Sequence, residues 1–429
     1  MPRQAPVTVL APLLPARRAA LDELLLSSTT VPGWVPDRRA SAGLGLTDLG
    51  GVHFARLFVL EPARLSTGEE VLATLVYMAD VDGTAAGHLR DLAATAPDGV
   101  DALFGSCVGY PPNPVAGTRM AWLLAHSLPS AARYVHHAGR TVTQVRDDVG
   151  LFATLRRMLD SGDVALSGPP VGLRDQLRAS VLRRADRAWA GRAPTTRTLL
   201  EEVADSLHLY AGLTALTLLS PVAVPAAAVW LLLVRRRELA DAQEDGVPDQ
   251  DHVDEVRRFE DVGAQNPFTA IGEVKPGLVR LVTMRVALAG LDFANRHAFA
   301  RDDLAGVDSI HFARWVLVDG NRRLVFASSY DGSLESYMDD FISRLSWGIN
   351  LVFSNGVGFP RARWLVLGGS RDEIRYKHYL RRHQVPVPMY YSAYPRQTVR
   401  NLDSFSQVHG GLASRYARDE DAARWLERL

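Results

Sequence analysis

The sequence predicts an α+β protein: two βαββαβ units packed sheet to sheet, with an apolar helical hairpin inserted between them. Three features carry this reading: an internal repeat, an alternation of strand and helix patterns within each copy, and a long uncharged stretch between the copies. At 429 residues, 47% hydrophobic and 22% charged, the chain is long enough for two or three domains with their own cores.

The repeat is the first clue. Gly51–Arg56 (GVHFAR) recurs as Ser309–Arg314 (SIHFAR). From Asp82-Gly83 to Pro111 the chain lies without gaps on Asp331-Gly332 to Pro360, matching Asp91 with Asp340, Gly99 with Gly348, Phe104 with Phe353 and Val108-Gly109 with Val357-Gly358. Pro6, Thr8 and Pro15 fall on Pro267, Thr269 and Pro276, and Arg133-Tyr134-x-His136 falls on Arg375-Tyr376-x-His378. Four blocks in one order point to duplication.

In the first copy, Val7–Ala11 reads as a strand, Arg17–Leu26 as a helix, Val52–Leu60 and Val71–Met78 as strands and Thr84–Ala94 as a helix, with a last strand near Phe104. The second copy repeats the order. Phe268–Val274 is a strand, and Pro276-Gly277 opens a helix with apolar Leu278, Leu281, Val282, Val286, Leu288 and Leu291. Ile310–Val318 is rich in β-branched and aromatic residues, and Asp319-Gly320 suits a hairpin turn whose central residues need positive φ. Leu324–Ala327 returns, Ser333 caps a helix with one apolar face through Leu334, Tyr337, Met338, Phe341, Ile342 and Leu345, and Asn350–Phe353 is expected to close the sheet. This is the split βαβ, ferredoxin-like order. Its sheet has both helices on one face, so two copies can cover each other's open faces.

Between the copies, Leu207–Val234 runs 28 residues without Asp, Glu, Lys or Arg and is closed by Arg235, Arg236 and Arg237. A buried core helix is one reading and a membrane segment the other. Breaking the stretch at Pro221 leaves arms of about 14 and 13 residues, each about 20 Å long and too short for about 30 Å of hydrocarbon. A single span would put the two copies on opposite sides of the bilayer. A re-entrant hairpin, held at a cytoplasmic surface by the Arg triplet, keeps their sheets together and is the preferred reading. Leu173–Arg192, with many Arg among apolar residues, reads equally as an interfacial helix beside anionic lipid or as a solvated helix face, and Asp241–Asp261 as an acidic linker. The expected divisions are 1–150, 151–205, 206–238, 239–264 and 265–429.

Forty-eight basic and 48 acidic side chains leave no net field to attract nucleic acid. A lone Cys107 makes neither a disulfide framework nor a thiolate metal cluster. Val7–Leu14, short and interrupted by Pro12, reads as mature protein rather than as a signal peptide. No P-loop, Gly-x-Ser-x-Gly elbow or Gly-x-Gly-x-x-Gly after a strand is found.

Strand alternation puts His311, Ala313 and Trp315 on one face and Phe312, Arg314 and Val316 on the other. A buried Arg314 needs a carboxylate, for which Asp331 is the nearest candidate; the first copy repeats the pair as Arg56 and Asp82, as a scaffold fastening would. His136 and His378 are read on helices and could ligate a metal or haem iron, although neither His136-His137 nor His378 with His383 has the HExxH spacing, and no metal site is expected.

On element order, residues 5–111 and 265–360 resemble the dimeric α/β-barrel proteins, the group of dye-decolorising peroxidases, chlorite dismutases and small quinol or antibiotic monooxygenases. The peroxidases' Gly-x-x-Asp-Gly motif falls on Ser328-Ser329-Tyr330-Asp331-Gly332 and Ala79-Asp80-Val81-Asp82-Gly83, without its first Gly in either. Together with the apolar segment Leu207–Val234, which carries the membrane association, the resemblance implies a haem-dependent oxidoreductase with an apolar or lipid-like substrate between the sheets. Asp331 would be the distal acid, Arg314 the charge stabiliser, and His378 or His311 the iron ligand or proton carrier. The alternative expectation is a non-catalytic membrane-bound scaffold or lipid-binding module.

Overall fold

A computed structural model describes residues 4–27, 43–162, 168–194, 199–242, 246–299, 304, 306–414 and 418–429. The architecture is α+β. In the first half β1 (Gln4–Pro12), α1 (Arg18–Ser27), β2 (Val52–Leu60), β3 (Thr74–Asp82), α2 (Ala85–Thr95), α3 (Pro97–Phe104), α4 (Ala116–Ala125), β4 (Ala132–Val135) and α5 (Val142–Asp160) follow in order. Then come α6 (Pro170–Leu182), α7 (Leu199–Ala240) and α8 (Gln250–Arg257). The second half runs β5 (Gln265–Glu273), α9 (Leu278–His297), β6 (Ile310–Val318), β7 (Arg323–Asp331), α10 (Leu334–Arg344), α11 (Ser346–Phe353), α12 (Glu373–His383), β8 (Met389–Ser392), α13 (Val399–Ala413) and α14 (Asp419–Leu426).

Two four-stranded antiparallel sheets result, in the orders β1-β3-β2-β8 and β5-β7-β6-β4. Each sheet takes its last strand from the other half. Tyr390 pairs with Arg56 across β8 and β2, and Arg133 with Arg314 across β4 and β6. This exchange replaces the closing strands expected near Phe104 and at Asn350–Phe353. Both of those runs are helices, because a short apolar run carries no period that separates strand from buried helix. In α11, Ile349, Asn350 and Val352 turn inward, and the Asn350 amide donates to the carbonyls of Val366 and Gly368.

The gap-free match beginning at Asp82 and Asp331 holds in three dimensions. α2 and α10 start from capping Thr84 and Ser333, each preceded by a glycine with positive φ, Gly83 at 85° and Gly332 at 81°, where a side chain would be strained. The Arg133/Arg375 match does not hold: Arg133 and Tyr134 lie on β4, whereas Arg375 and Tyr376 lie on α12. The true counterpart of β4 is β8, followed in both halves by a capping threonine, Thr141 or Thr398, and a long helix. At the expected hairpin turn, Asp319 and Gly320 have φ of 52° and 64°.

Phe58, Met78, Val316 and Val325 fill the space between the sheets, and Phe54 meets Phe312 with ring centroids 5.5 Å apart. A separate core joins α5, α6, α13 and α14 through Leu151, Leu177, Leu412 and Trp425. The expected Leu173–Arg192 helix ends at Leu182 and belongs to this core: Arg174 is buried and donates to the carbonyls of Gly411 and Leu412, and Arg178 joins it at Leu412, closing the carbonyl end of α13. The acidic linker contains α8, with Gln243–Asp245 outside the described residues.

The apolar insert is one helix rather than a hairpin. α7 runs through Pro221 and Pro225, each of which removes one backbone donor without ending the helix. Both ends are tied to the body. Asp205 pairs with Arg296 and His208 lies 2.8 Å from His297 at one end. At the other, Trp230 donates to Thr283 at 3.0 Å, the buried Glu238 carboxylate accepts from the amides of Trp364 and Leu365, and Asp241 just beyond the helix pairs with Lys275 and Arg280. Between these ties, Leu213, Leu216, Leu218, Leu219, Val222, Val224 and Val229 are exposed and, at 100° per residue, point to every side.

Candidate functional site

The HFAR strands β2 and β6 meet through Phe54 and Phe312, and a bulge sits at each histidine: pairing slips between Val52 and Phe54 in β2 and between Ile310 and Phe312 in β6. A bulge re-aims the side chain beside it. His311 thus turns to Phe54 of the other sheet at 5.2 Å, and His53 to Phe312 at 5.4 Å, instead of His311 sharing a face with Trp315 as alternation predicts.

Each histidine sits in a matched network. His53 Nε2 lies 3.1 Å from Asp82 Oδ1, while Asp82 Oδ2 accepts from the Val142 amide at 2.9 Å. His311 Nε2 lies 2.7 Å from Asp331 Oδ1, while Asp331 Oδ2 accepts from the Val399 amide at 2.6 Å. Gln4 and Gln265 flank the two rings and bond onward to Arg140 and Gln397. Both carboxylates thereby bind the first amide of a helix that follows an exchanged strand, where the helix dipole favours negative charge. They differ at the other ring nitrogen. His53 Nδ1 meets the Tyr394 hydroxyl at 2.9 Å, and His311 Nδ1 has no partner among the described residues.

The arginines work as crossed ties. Arg56 donates into the second sheet, to the carbonyls of Phe268 and Ser328 and the hydroxyls of Thr269 and Ser329. Arg314 donates into the first, to the carbonyls of Val7 and Ala79, and pairs with Asp80. The carboxylate partner of Arg314 is therefore Asp80, with Asp331 given to His311. Burial pushes Arg56 down to about 10, which leaves it charged at neutral pH.

His311, Asp331 and Arg314 are brought to one face, but each is saturated by protein groups of the duplicated scaffold apart from His311 Nδ1. His378 lies half-buried on α12, whose Tyr376 and Tyr379 pack against the helical side of the second sheet, the side away from His311. The cavity on that side, about 50 Å³, is lined by Phe268, Trp315, Phe326, Phe341, Trp347 and Tyr376, and none of His311, Asp331, Arg314 and His378 lines it. These residues do not fit a haem, whose acid, stabiliser and ligand would have to meet in one cavity.

A second cluster is not duplicated. At the end of β4, His136 and His137 turn Nε2 toward Asp403 on α13, at 3.0 Å from Oδ2 and 2.9 Å from Oδ1, and His136 Nδ1 lies 3.1 Å from the Tyr134 hydroxyl. Burial pushes His137 down to about 3 despite Asp403, which keeps its imidazole neutral at pH 7. Asp403 is held below the usual carboxylate range by its bonds to the two histidines, against the raising effect of its own burial. His136 is legible in the sequence as a candidate ligand, although its stretch reads as helix, and Asp403 lies so far along the chain that only the strand exchange brings it near.

Comparison with family models, with curated proteins and with solved structures returns no match.

Proposed function

We propose that the chain is a monotopic membrane protein, a non-catalytic lipid-surface scaffold whose two ferredoxin-like units, interlocked by their exchanged closing strands, sit together on the cytoplasmic face of a bilayer with α7 embedded in the near leaflet. The observation that carries this reading is the all-round apolar exposure of α7 between two ends that are each fastened to the body. A helix that is apolar on every side is stable inside a protein or in lipid, and the middle of α7 is not covered by protein. From residue 213 to 229 it extends about 26 Å.

The exchanged strands argue against a span. Residues before α7 build part of the second sheet and residues after it part of the first. A bilayer between them would require those strands to be withdrawn. Arg236 and Arg237, exposed at the end of α7, fit the anionic headgroups of a cytoplasmic leaflet.

Flotation with vesicles containing about one-third anionic lipid tests the assignment. The wild-type chain is expected to float with the vesicles. Leu216→Glu/Leu219→Glu/Val222→Glu is expected to stay at the bottom as a folded monomer, since each charge costs roughly 2.5–3.5 kcal/mol in hydrocarbon. A wild-type chain that is monomeric in detergent-free buffer and ignores vesicles would overturn it, as would a variant that floats like wild type.

A further inference from the structure

The geometry points to a binding site for one divalent first-row transition ion, of the zinc or ferrous class, formed by His136 Nε2, His137 Nε2 and the Asp403 carboxylate. The three donor groups already converge, with their ligand atoms all within 4.8 Å of one another. Tetrahedral bonds of 2.0–2.1 Å put neighbouring ligand atoms about 3.3 Å apart. The existing nitrogen–oxygen separations of 3.0 and 2.9 Å run to the two different oxygens of Asp403, so a cation drawn in between the rings and the carboxylate needs only a small rotation of that carboxylate and a shift of each ring proton from Nε2 to Nδ1.

Two features separate the cluster from an ordinary His–Asp fastening. The first is the comparison between the two halves. The fastenings at His53/Asp82 and His311/Asp331 occur twice, as scaffold contacts should. At the place in β8 and α5 that corresponds to His136, His137 and Asp403 stand Ala393, Tyr394 and Arg146, and Arg146 instead donates to the Ala393 carbonyl and the Tyr391 hydroxyl. The fold closes there without a histidine or a carboxylate, so the scaffold does not require the cluster.

The second is its outer shell. The Tyr134 hydroxyl faces Nδ1 of His136 and fixes the ring with Nε2 turned inward, the kind of support that metal-bound imidazoles receive. The His136 amide is also held by the His311 carbonyl at 3.0 Å. Both rings are buried, while the Asp403 side chain is 24% exposed, so a cation enters from the Asp403 side. Three protein ligands leave the remaining coordination of the ion to water.

Titration of the chelator-treated 429-residue chain in detergent with Co2+ and Zn2+ tests the site. The expected result is one equivalent bound per chain, with visible cobalt bands of a four- or five-coordinate ion that Zn2+ bleaches. His137→Ala and Asp403→Asn are expected to weaken binding by about 100-fold or more, beyond the 10–100-fold typical of outer-shell changes, and Tyr134→Phe by about tenfold. His208→Ala, at the exposed His208–His297 pair, is expected to change nothing. Should the ligand variants fail to fold, X-ray absorption on the cobalt-loaded wild type decides, with two imidazoles and one carboxylate expected around the ion. Absence of stoichiometric binding to the wild type, octahedral cobalt with oxygen ligands only, or loss that follows His208 rather than His137 would overturn the assignment.

Discussion

Arg314→Ala is expected to lower the unfolding free energy by about 3–5 kcal/mol, the usual cost of removing one partner of a buried ion pair. The side chain is buried and donates to the carbonyls of Val7 and Ala79 while pairing with Asp80, itself only 9% exposed. Truncation leaves that carboxylate in the sheet-to-sheet face without its cation. Arg56 makes the mirror-image contacts to neutral oxygens only, because Ser329 stands where Asp80 stands in the other half. Arg56→Ala is therefore expected to cost less, about 1.5–3 kcal/mol, as loss of hydrogen bonds to a charged group. Urea unfolding in detergent measures both. Equal costs, or a cost for Arg314→Ala under about 1 kcal/mol, would remove the crossed arginines as the ties between sheets.

Acid is expected to destabilise the protein across the window from about pH 6.5 to pH 4, and His88 to account for a large share. His88 is buried on α2 with Nε2 2.7 Å from the Tyr77 hydroxyl, and burial pushes it down to about 4. Between that value and the ordinary 6.5 the unfolded chain binds a proton that the folded chain does not, so stability rises with pH through the window. Above pH 6.5 the group makes no difference. By pH 4 the accumulated penalty is about 3 kcal/mol, at 1.36 kcal/mol per unit. His88→Gln retains a polar partner for Tyr77 without the titration, and its denaturation midpoints at pH 4.5 and 7 are expected to lie closer together than those of wild type. An unchanged acid limb would show that the penalty lies elsewhere.

The repeated His-Phe-Ala-Arg stretch and the gap-free block after Asp82 and Asp331 made the relation between the halves legible, because duplicated residues mark positions where the scaffold needs a particular shape. The alternating faces of β6 beyond Phe312 followed from strand geometry. His311 did not, since a bulge leaves no trace in a period-two pattern. The exchange of closing strands was also hidden. β4 and β8 are four residues long, β4 reads as helix, and β8 pairs with residues more than three hundred positions away. The correct partner of Arg314 and the convergence of Asp403 on His136 and His137 both depend on that exchange, so neither could be reached by reading along the chain. In α7 the composition signalled an apolar segment, but whether prolines break a helix depends on what holds its ends, and those ties come from Arg296, His297, Leu365 and Arg280.

On the proposed membrane assignment, both halves occupy one side of a bilayer while α7 lies in it. Single cysteines placed near residue 4 and near residue 428 of a Cys107→Ala chain, in sealed vesicles, test it through labelling by a membrane-impermeant maleimide. Equal accessibility of the two sites in every vesicle orientation is the predicted result, and reaction of one site with protection of the other until detergent is added would contradict the account.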